Sequence, residues 1–158
     1  MYIISKCLLG KNCKYNGGNN RNEDVVKFSQ KHSFVAVCPE CSGGLPTPRV
    51  PAEIQPEEKG ETEAQVLNRE GIDVTAEYVR GAEICWQQAS CEATKRGESV
   101  EGAILQPRSP SCGSGRIYNG AFDGTLIEGD GIFTRLLRKK GVHVLSECEW
   151  KEKDEDND

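Results

Sequence analysis

Three cysteines of this 158-residue chain follow segments that resemble β-strands, and their chemistry is the first functional lead. Cys7 lies at the end of one apolar run, Cys38 closes a second, and Cys112 lies six residues past a third, in the sequence SPSCG. Thiolates are the ligands that soft metals and iron–sulfur clusters prefer. Three of them on three separate loops therefore indicate a metal site or an iron–sulfur cluster.

The elements that must position these cysteines alternate between strand and helix patterns. Apolar runs of strand length occupy residues 3–9, 34–38, 100–106 and 142–146, and helical periodicity marks residues 23–32, 75–96 and 131–140. This order predicts an α/β fold with a parallel sheet of about four strands. Because the carboxyl ends of parallel strands meet at one edge, where open α/β sheets bind ligands, we expect the three cysteines to converge there.

Two long segments show no clear period. Residues 39–73 contain five prolines, and residues 107–130 are rich in glycine, serine and proline. Long irregular segments inside a compact domain are usually functional or disordered. Both begin at the carboxyl ends of predicted strands, so we expect them to contribute to the site.

Candidate acid–base groups lie beside two of the cysteines. Glu40 is two residues past Cys38, so its carboxylate could face the same pocket. Ser109 and Ser111 come just before Cys112 and could orient a base or a substrate. The plainer alternative is an exposed carboxylate and two turn-forming serines, since most glutamates are exposed and serines are common in turns.

The remaining cysteines have several interpretations. Cys13 lies in a polar Gly/Asn loop and is a candidate fourth ligand, a neighbouring thiol or a residue without a role. Cys38 and Cys41 form a CxxC pair, which could be a redox pair or half of a zinc site. Three others are expected to be core or incidental thiols: Cys85, Cys91 and Cys148.

Size and charge narrow the classes of function. The length predicts a single domain. The net charge of −5 arises in residues 147–158, which hold seven acids and two lysines, and we expect residues 148–158 to be an acidic, disordered tail. The rest is neutral without a basic stripe, which argues against DNA and tRNA. No apolar run reaches membrane-spanning length, and the start does not resemble a signal peptide, so a cytoplasmic location is expected.

Five motifs in order resemble the 2-thiouracil desulfurase family of bacteria. They are SKCLLGKNCKYNGG, VCPEC followed by GGLPTPRVPAEI, NREGIDVT, SPSCGSGRIYNGAFDG and GDGIFTRLLRKKGVHVLSE. The resemblance covers residues 3–147 and implies one Rossmann-like α/β sandwich over residues 1–147, with helices on both faces of the sheet. It also implies a [4Fe-4S] cluster held by Cys7, Cys38 and Cys112, whose fourth iron is open.

The resemblance implies an activity as well. The chain would remove sulfur from a thiocarbonyl compound without redox chemistry, for example turning 2-thiouracil into uracil and hydrosulfide, with the open iron binding the substrate sulfur. Glu40 would act as general base or proton shuttle for water, and Ser109, with Ser111, would orient the base or donate to the heterocycle. Gln106, Pro107 and Cys41 depart from the family pattern. Gln106 ends the third predicted strand near the site and bears on substrate preference, whereas Cys41 could change the identity of the ligands or simply line the pocket.

Three other functions remain open from the residues. The same cluster could act on a thiolated nucleoside or tRNA base. The cysteines could instead hold a structural zinc in a binding or sulfide-carrying module. Cys38 and Cys41 could also make the chain a thiol redox protein.

Overall fold

The computed structural model describes residues 1–57 and 64–156. This part of the chain contains seven short strands and five helices. The strands are β1 (Tyr2–Ser5), β2 (Phe34–Val37), β3 (Ala52–Ile54), β4 (Val66–Asn68), β5 (Gly102–Ile104), β6 (Arg116–Tyr118) and β7 (Leu126–Glu128). The helices are α1 (Glu23–Lys31), α2 (Pro39–Ser42), α3 (Thr75–Arg96), α4 (Ile132–Lys139) and α5 (Glu147–Asp156), and a 3-10 turn covers Lys6–Leu9. The predicted α/β class is confirmed. None of the described helices is long and apolar enough to cross a membrane.

The parallel sheet holds three strands in the order β2–β1–β5. The central strand β1 pairs in parallel with both neighbours. The strand predicted at residues 142–146 contributes a single bridge, in which Val144 pairs with Ala103. The N–H of Leu145 donates to the Ala103 carbonyl at 2.8 Å, and α5 begins two residues later at Glu147. The described sheet therefore has three strands rather than about four.

Side chains of β1 alternate between two helical layers. Ile3 belongs to a buried cluster that includes Ala82 of α3 and Phe133 of α4. Ile4 belongs to a second buried cluster, which includes Phe28 of α1 and Trp150 of α5. Successive side chains of a strand point to opposite faces of its sheet, so helices pack against both faces.

The acidic C-terminal segment was predicted to be disordered, but most of it is helical. Residues Glu147–Asp156 form α5. Trp150 is only 4% exposed, and its ring lies 6.5 Å from that of Phe28 in α1. The charge run suggested a solvated tail, but the burial of one large aromatic side chain anchors the helix. Residues 157–158 lie outside the described residues.

The two segments without a clear period each contain a small antiparallel pair of strands. β3 pairs with β4, and β6 pairs with β7. Ile54, Val66 and Ile117 from these strands share a buried cluster with Tyr78 of α3. Apolar contact with the helical layer therefore stabilises strands of only three residues each, which are too short to show a period in the sequence.

A close contact between α2 and α3 sets the position of the turn that carries Glu40. A Cβ atom on Gly81 would lie 1.8 Å from the carbonyl oxygen of Pro39, a distance at which the backbone must move. We expect Gly81→Ala to lower the free energy of unfolding by about 2–3 kcal/mol, because α2 must separate from α3. Urea unfolding of the cluster-free protein under reducing conditions measures this.

Gln88→Ala is the matched control, since Gln88 is exposed on the same helix. Its effect should stay within about 0.5 kcal/mol. Equal stability of the two variants would contradict the close packing of α2 on α3.

Candidate functional site

A cavity of about 430 Å³ lies at the carboxyl edge of the parallel sheet. Its lining includes Ser5 and Val37, which end β1 and β2, and Gln106, just past β5. Seven side chains singled out from the sequence also line it: Cys7, Cys13, Cys38, Glu40, Ser109, Ser111 and Cys112. The structure thus brings these seven candidate ligands and acid–base groups to one cavity, whereas Cys41 of the CxxC pair does not line it.

Each candidate ligand is positioned by a turn that follows its strand. Cys7 lies in the 3-10 turn after β1. Cys38 follows β2 directly and is the N-cap residue of α2, with Pro39 in the first helical turn, where its missing N–H is not needed. Cys112 lies in the loop after β5. Cys7 and Cys112 are buried, and Cys38 is half-buried.

The loop that carries Cys112 packs on the N-terminus of α4. The Phe133 N–H donates to the Ser111 carbonyl at 2.8 Å, and the Thr134 hydroxyl donates to the Cys112 carbonyl at 3.0 Å. A Cβ atom on Gly113 would lie 2.7 Å from a backbone oxygen. The loop therefore satisfies N–H groups that a helix start leaves unpaired, and Gly113 permits the close backbone packing.

Burial and contacts between neighbouring thiols raise the pKa of three cysteines in the cavity. A hydrogen bond with Cys13, together with burial, raises the pKa of Cys38 far above its ordinary value. Burial raises the pKa of Cys112 to about 12. The hydrogen bond with Cys38 lowers the pKa of Cys13, but contact with Cys7 and burial outweigh it and raise it to about 11. Such adjacent thiols become thiolates readily only beside a cation, a condition that a bound metal meets.

The donor set of the cavity fits an iron–sulfur cluster. Cys7, Cys38 and Cys112 come from three separate turns, and all three line the cavity. Thiolates are the ligands that the irons of such clusters prefer, and each cysteine of a [4Fe-4S] cluster binds a different iron. These three side chains could therefore hold a [4Fe-4S] cluster.

Three donors hold the carboxylate of Glu40. Arg49 Nε, at 3.1 Å, and the Tyr78 hydroxyl, at 2.9 Å, both donate to Oε1. The Ser111 hydroxyl donates to Oε2 at 2.8 Å. The side chains of Glu40 and Arg49 are 14% and 6% exposed. Because a carboxylate only accepts hydrogen bonds, three donors match it and fix its orientation.

The two serines extend this network. The Ser111 hydroxyl has one proton and donates it to Glu40, so in the 3.3 Å contact between the two hydroxyls Ser109 is the donor. The Ser109 hydroxyl in turn accepts the Cys112 N–H at 2.8 Å. Hydrogen bonds through the Ser111 and Ser109 hydroxyls therefore connect the Glu40 carboxylate to the backbone of Cys112, a candidate ligand.

Sequence reasoning missed Arg49 and Tyr78. Arg49 also donates to the carbonyl oxygen of Cys13 at 2.8 Å and so ties the Cys13 loop to Glu40. Burial and the Glu40 carboxylate raise the pKa of Tyr78, which keeps its hydroxyl a donor. Arg49 stands in a proline-rich stretch, and Tyr78 fits the apolar face of α3, so neither showed a local pattern linked to the cysteines.

Comparison with known proteins identifies the family. A family model described as 2-thiouracil desulfurase matches residues 2–149. The chain belongs to this family. A solved structure of a [4Fe-4S]-dependent thiouracil desulfidase, TudS, is 41% identical with a TM-score of 0.77, and the match covers 96% of this chain and 93% of that one. The uncharacterized protein YbbK of Bacillus subtilis (strain 168) is 40% identical over an alignment 152 residues long, and the match covers 94% of this chain and 97% of that protein.

Two of the departures from the family pattern noted in the sequence line the cavity of this 2-thiouracil desulfurase family member. They are Gln106 and Pro107, and the Cys7 thiol donates to Gln106 Oε1 across 3.7 Å. The third, Cys41, contacts Thr47 Oγ1 at 3.4 Å and does not line the cavity.

Proposed function

We propose that this chain is an iron–sulfur-dependent desulfidase that converts the thiocarbonyl of a small heterocycle such as 2-thiouracil into a carbonyl and releases hydrosulfide. The family membership and the match to TudS over nearly the whole chain support this activity. The observation that carries it is the single cavity shared by three candidate cluster ligands and the anchored carboxylate of Glu40. Its volume of about 430 Å³ suits a small ligand.

Cys7, Cys38 and Cys112 would hold the cluster, and Cys13 adds a thiol in contact with two of them. This ligand set leaves the fourth iron without a protein ligand. When bound, the cluster supplies a Lewis acid for the soft thiocarbonyl sulfur.

Side chains of the cavity would activate water and transfer protons. The overall change exchanges C=S and water for C=O and hydrogen sulfide, so no electrons are gained or lost. Glu40, held by Arg49 and Tyr78, accepts the proton of the attacking water as general base. Ser111 and Ser109 orient the carboxylate and can pass a proton along their hydroxyls.

The direct test is anaerobic reconstitution followed by turnover. We expect about four irons and four sulfides per chain and conversion of 2-thiouracil into uracil without added reductant. In H₂¹⁸O the new carbonyl oxygen should carry the heavy isotope, because it comes from water. Mass spectrometry of the uracil measures this, and unlabelled uracil would contradict the hydrolytic route.

The proposal also includes the fold of the domain, the cellular location and the class of substrate. The domain over residues 1–147 is a Rossmann-like sandwich, extended in this chain by α5. The cellular location is the cytoplasm, whose reducing conditions suit eight free cysteines. The substrate is a free heterocycle rather than DNA or tRNA, since outside residues 147–158 the acids and bases balance and phosphate binding needs a surplus of basic groups.

A further inference from the structure

The hairpin formed by β6 and β7 brings aromatic side chains to the cavity. Tyr118, at the end of β6, and Phe122, in the turn that follows, both line it, as does Arg69 just past β4. Neither the cluster ligands nor the Glu40 network accounts for these three side chains.

A buried carboxylate holds the turn that carries Phe122. Glu53 of β3 is only 8% exposed. Its Oε1 accepts the N–H groups of Gly120 at 3.0 Å and of Phe122 at 3.1 Å. Phe122 has φ of +57°, a conformation that few residues other than glycine adopt and that occurs preferentially at functional sites. The structure therefore fixes this ring in a strained position at the cavity.

The Phe122 ring is oriented by a cation. The guanidinium of Arg69 lies over it, 5.7 Å from the ring centre, within the range of a cation–π contact. The close ring–ring pairs among the described residues involve Tyr2, Phe28, His32 and Trp150, and none includes Phe122. The half-buried Phe122 ring thus has a π partner in Arg69 but no aromatic neighbour in the described structure.

We propose that Phe122, held by Glu53 and oriented by Arg69, stacks on the planar ring of the substrate and selects heteroaromatic thiocarbonyl compounds over saturated ones. This inference rests on the proposed function. Every pyrimidine has a π face, and stacking on an aromatic side chain strengthens binding of such a ring about tenfold or more. A saturated ring is puckered and loses this contact, although its amide edge is the same.

Binding of uracil and of 5,6-dihydrouracil tests the inference without requiring turnover. We expect the reconstituted wild type to bind uracil about tenfold more tightly than dihydrouracil. In Phe122→Leu, which keeps apolar volume but removes the π face, the ratio should fall toward one, whereas Phe122→Tyr should retain it. Ligand-observed NMR gives both dissociation constants, and an unchanged ratio in Phe122→Leu would overturn the inference.

Two further measurements separate folding and function from this role. Phe122→Asn also removes the π face but tolerates positive φ, so it replaces Phe122→Leu if the leucine variant loses its iron. Turnover of 2-thiouracil by the wild type tests the proposed function independently. Turnover with an unchanged binding ratio in the variants overturns only the stacking role, whereas selective uracil binding without turnover overturns only the desulfidase.

Discussion

Replacing Glu40 with glutamine should lower kcat for 2-thiouracil by about a thousandfold while the iron content stays the same. General base catalysis contributes about 10²–10⁴-fold in enzymes, and an amide cannot take the proton of water. Glutamine keeps an oxygen for the hydrogen bonds from Arg49 and Tyr78, so the turn next to Cys38 should keep its shape. Anaerobic kinetics, together with iron and sulfide analysis of the same sample, measure the effect.

Glu83→Gln provides the matched control, because Glu83 is exposed on α3 and does not line the cavity. It should leave kcat unchanged. Full turnover by a cluster-loaded Glu40→Gln protein would exclude Glu40 as the base, and would direct attention to the Ser109 and Ser111 hydroxyls.

The second large effect is expected for Cys112→Ala, which should reduce iron from about four per chain to below one and abolish turnover. Cys112 is 4% exposed, and its loop is held in place by α4. We expect a cluster with three protein ligands to be lost when one of those ligands is removed. Iron and acid-labile sulfide analysis, with the absorption spectrum of the reconstituted protein, measure this.

Two other cysteine variants make this experiment specific. Cys91→Ser removes an exposed thiol and should keep full iron content. Cys13→Ala should also keep the cluster if the ligand set is Cys7, Cys38 and Cys112, although Cys13 contacts the first two. Zinc without sulfide in the wild type would instead support the structural-metal alternative, and loss of iron in Cys13→Ala would show a different ligand set.

The position of the candidate ligands follows from the sequence alone. Cys7, Cys38 and Cys112 each come after a short apolar run, and the chain between those runs has helical periodicity. Such an order predicts a parallel sheet, and parallel strands end at one edge. Convergence of the three thiols was therefore predictable from local patterns. The helices α1, α3 and α4 were predictable for the same reason, since their apolar residues recur every three or four positions.

The tertiary structure alone decided what surrounds those ligands. Glu40 meets Tyr78 across 38 positions of sequence and Ser111 across 71, and no local pattern records such a pairing. The same holds for Phe122, which reaches the cavity because Glu53 holds its turn.

Tertiary packing also determines whether elements with little sequence periodicity form. The three-residue strands β3, β4 and β6 carry apolar side chains that pack on α3, and β7 pairs with β6. Helix α5 forms because Trp150 is buried against α1. Periodicity reports contacts that repeat along one element, whereas these elements depend on single contacts with distant parts of the chain. The sequence by itself therefore determined where the candidate cluster ligands converge, and the tertiary structure determined which side chains orient the candidate base Glu40 and line the cavity.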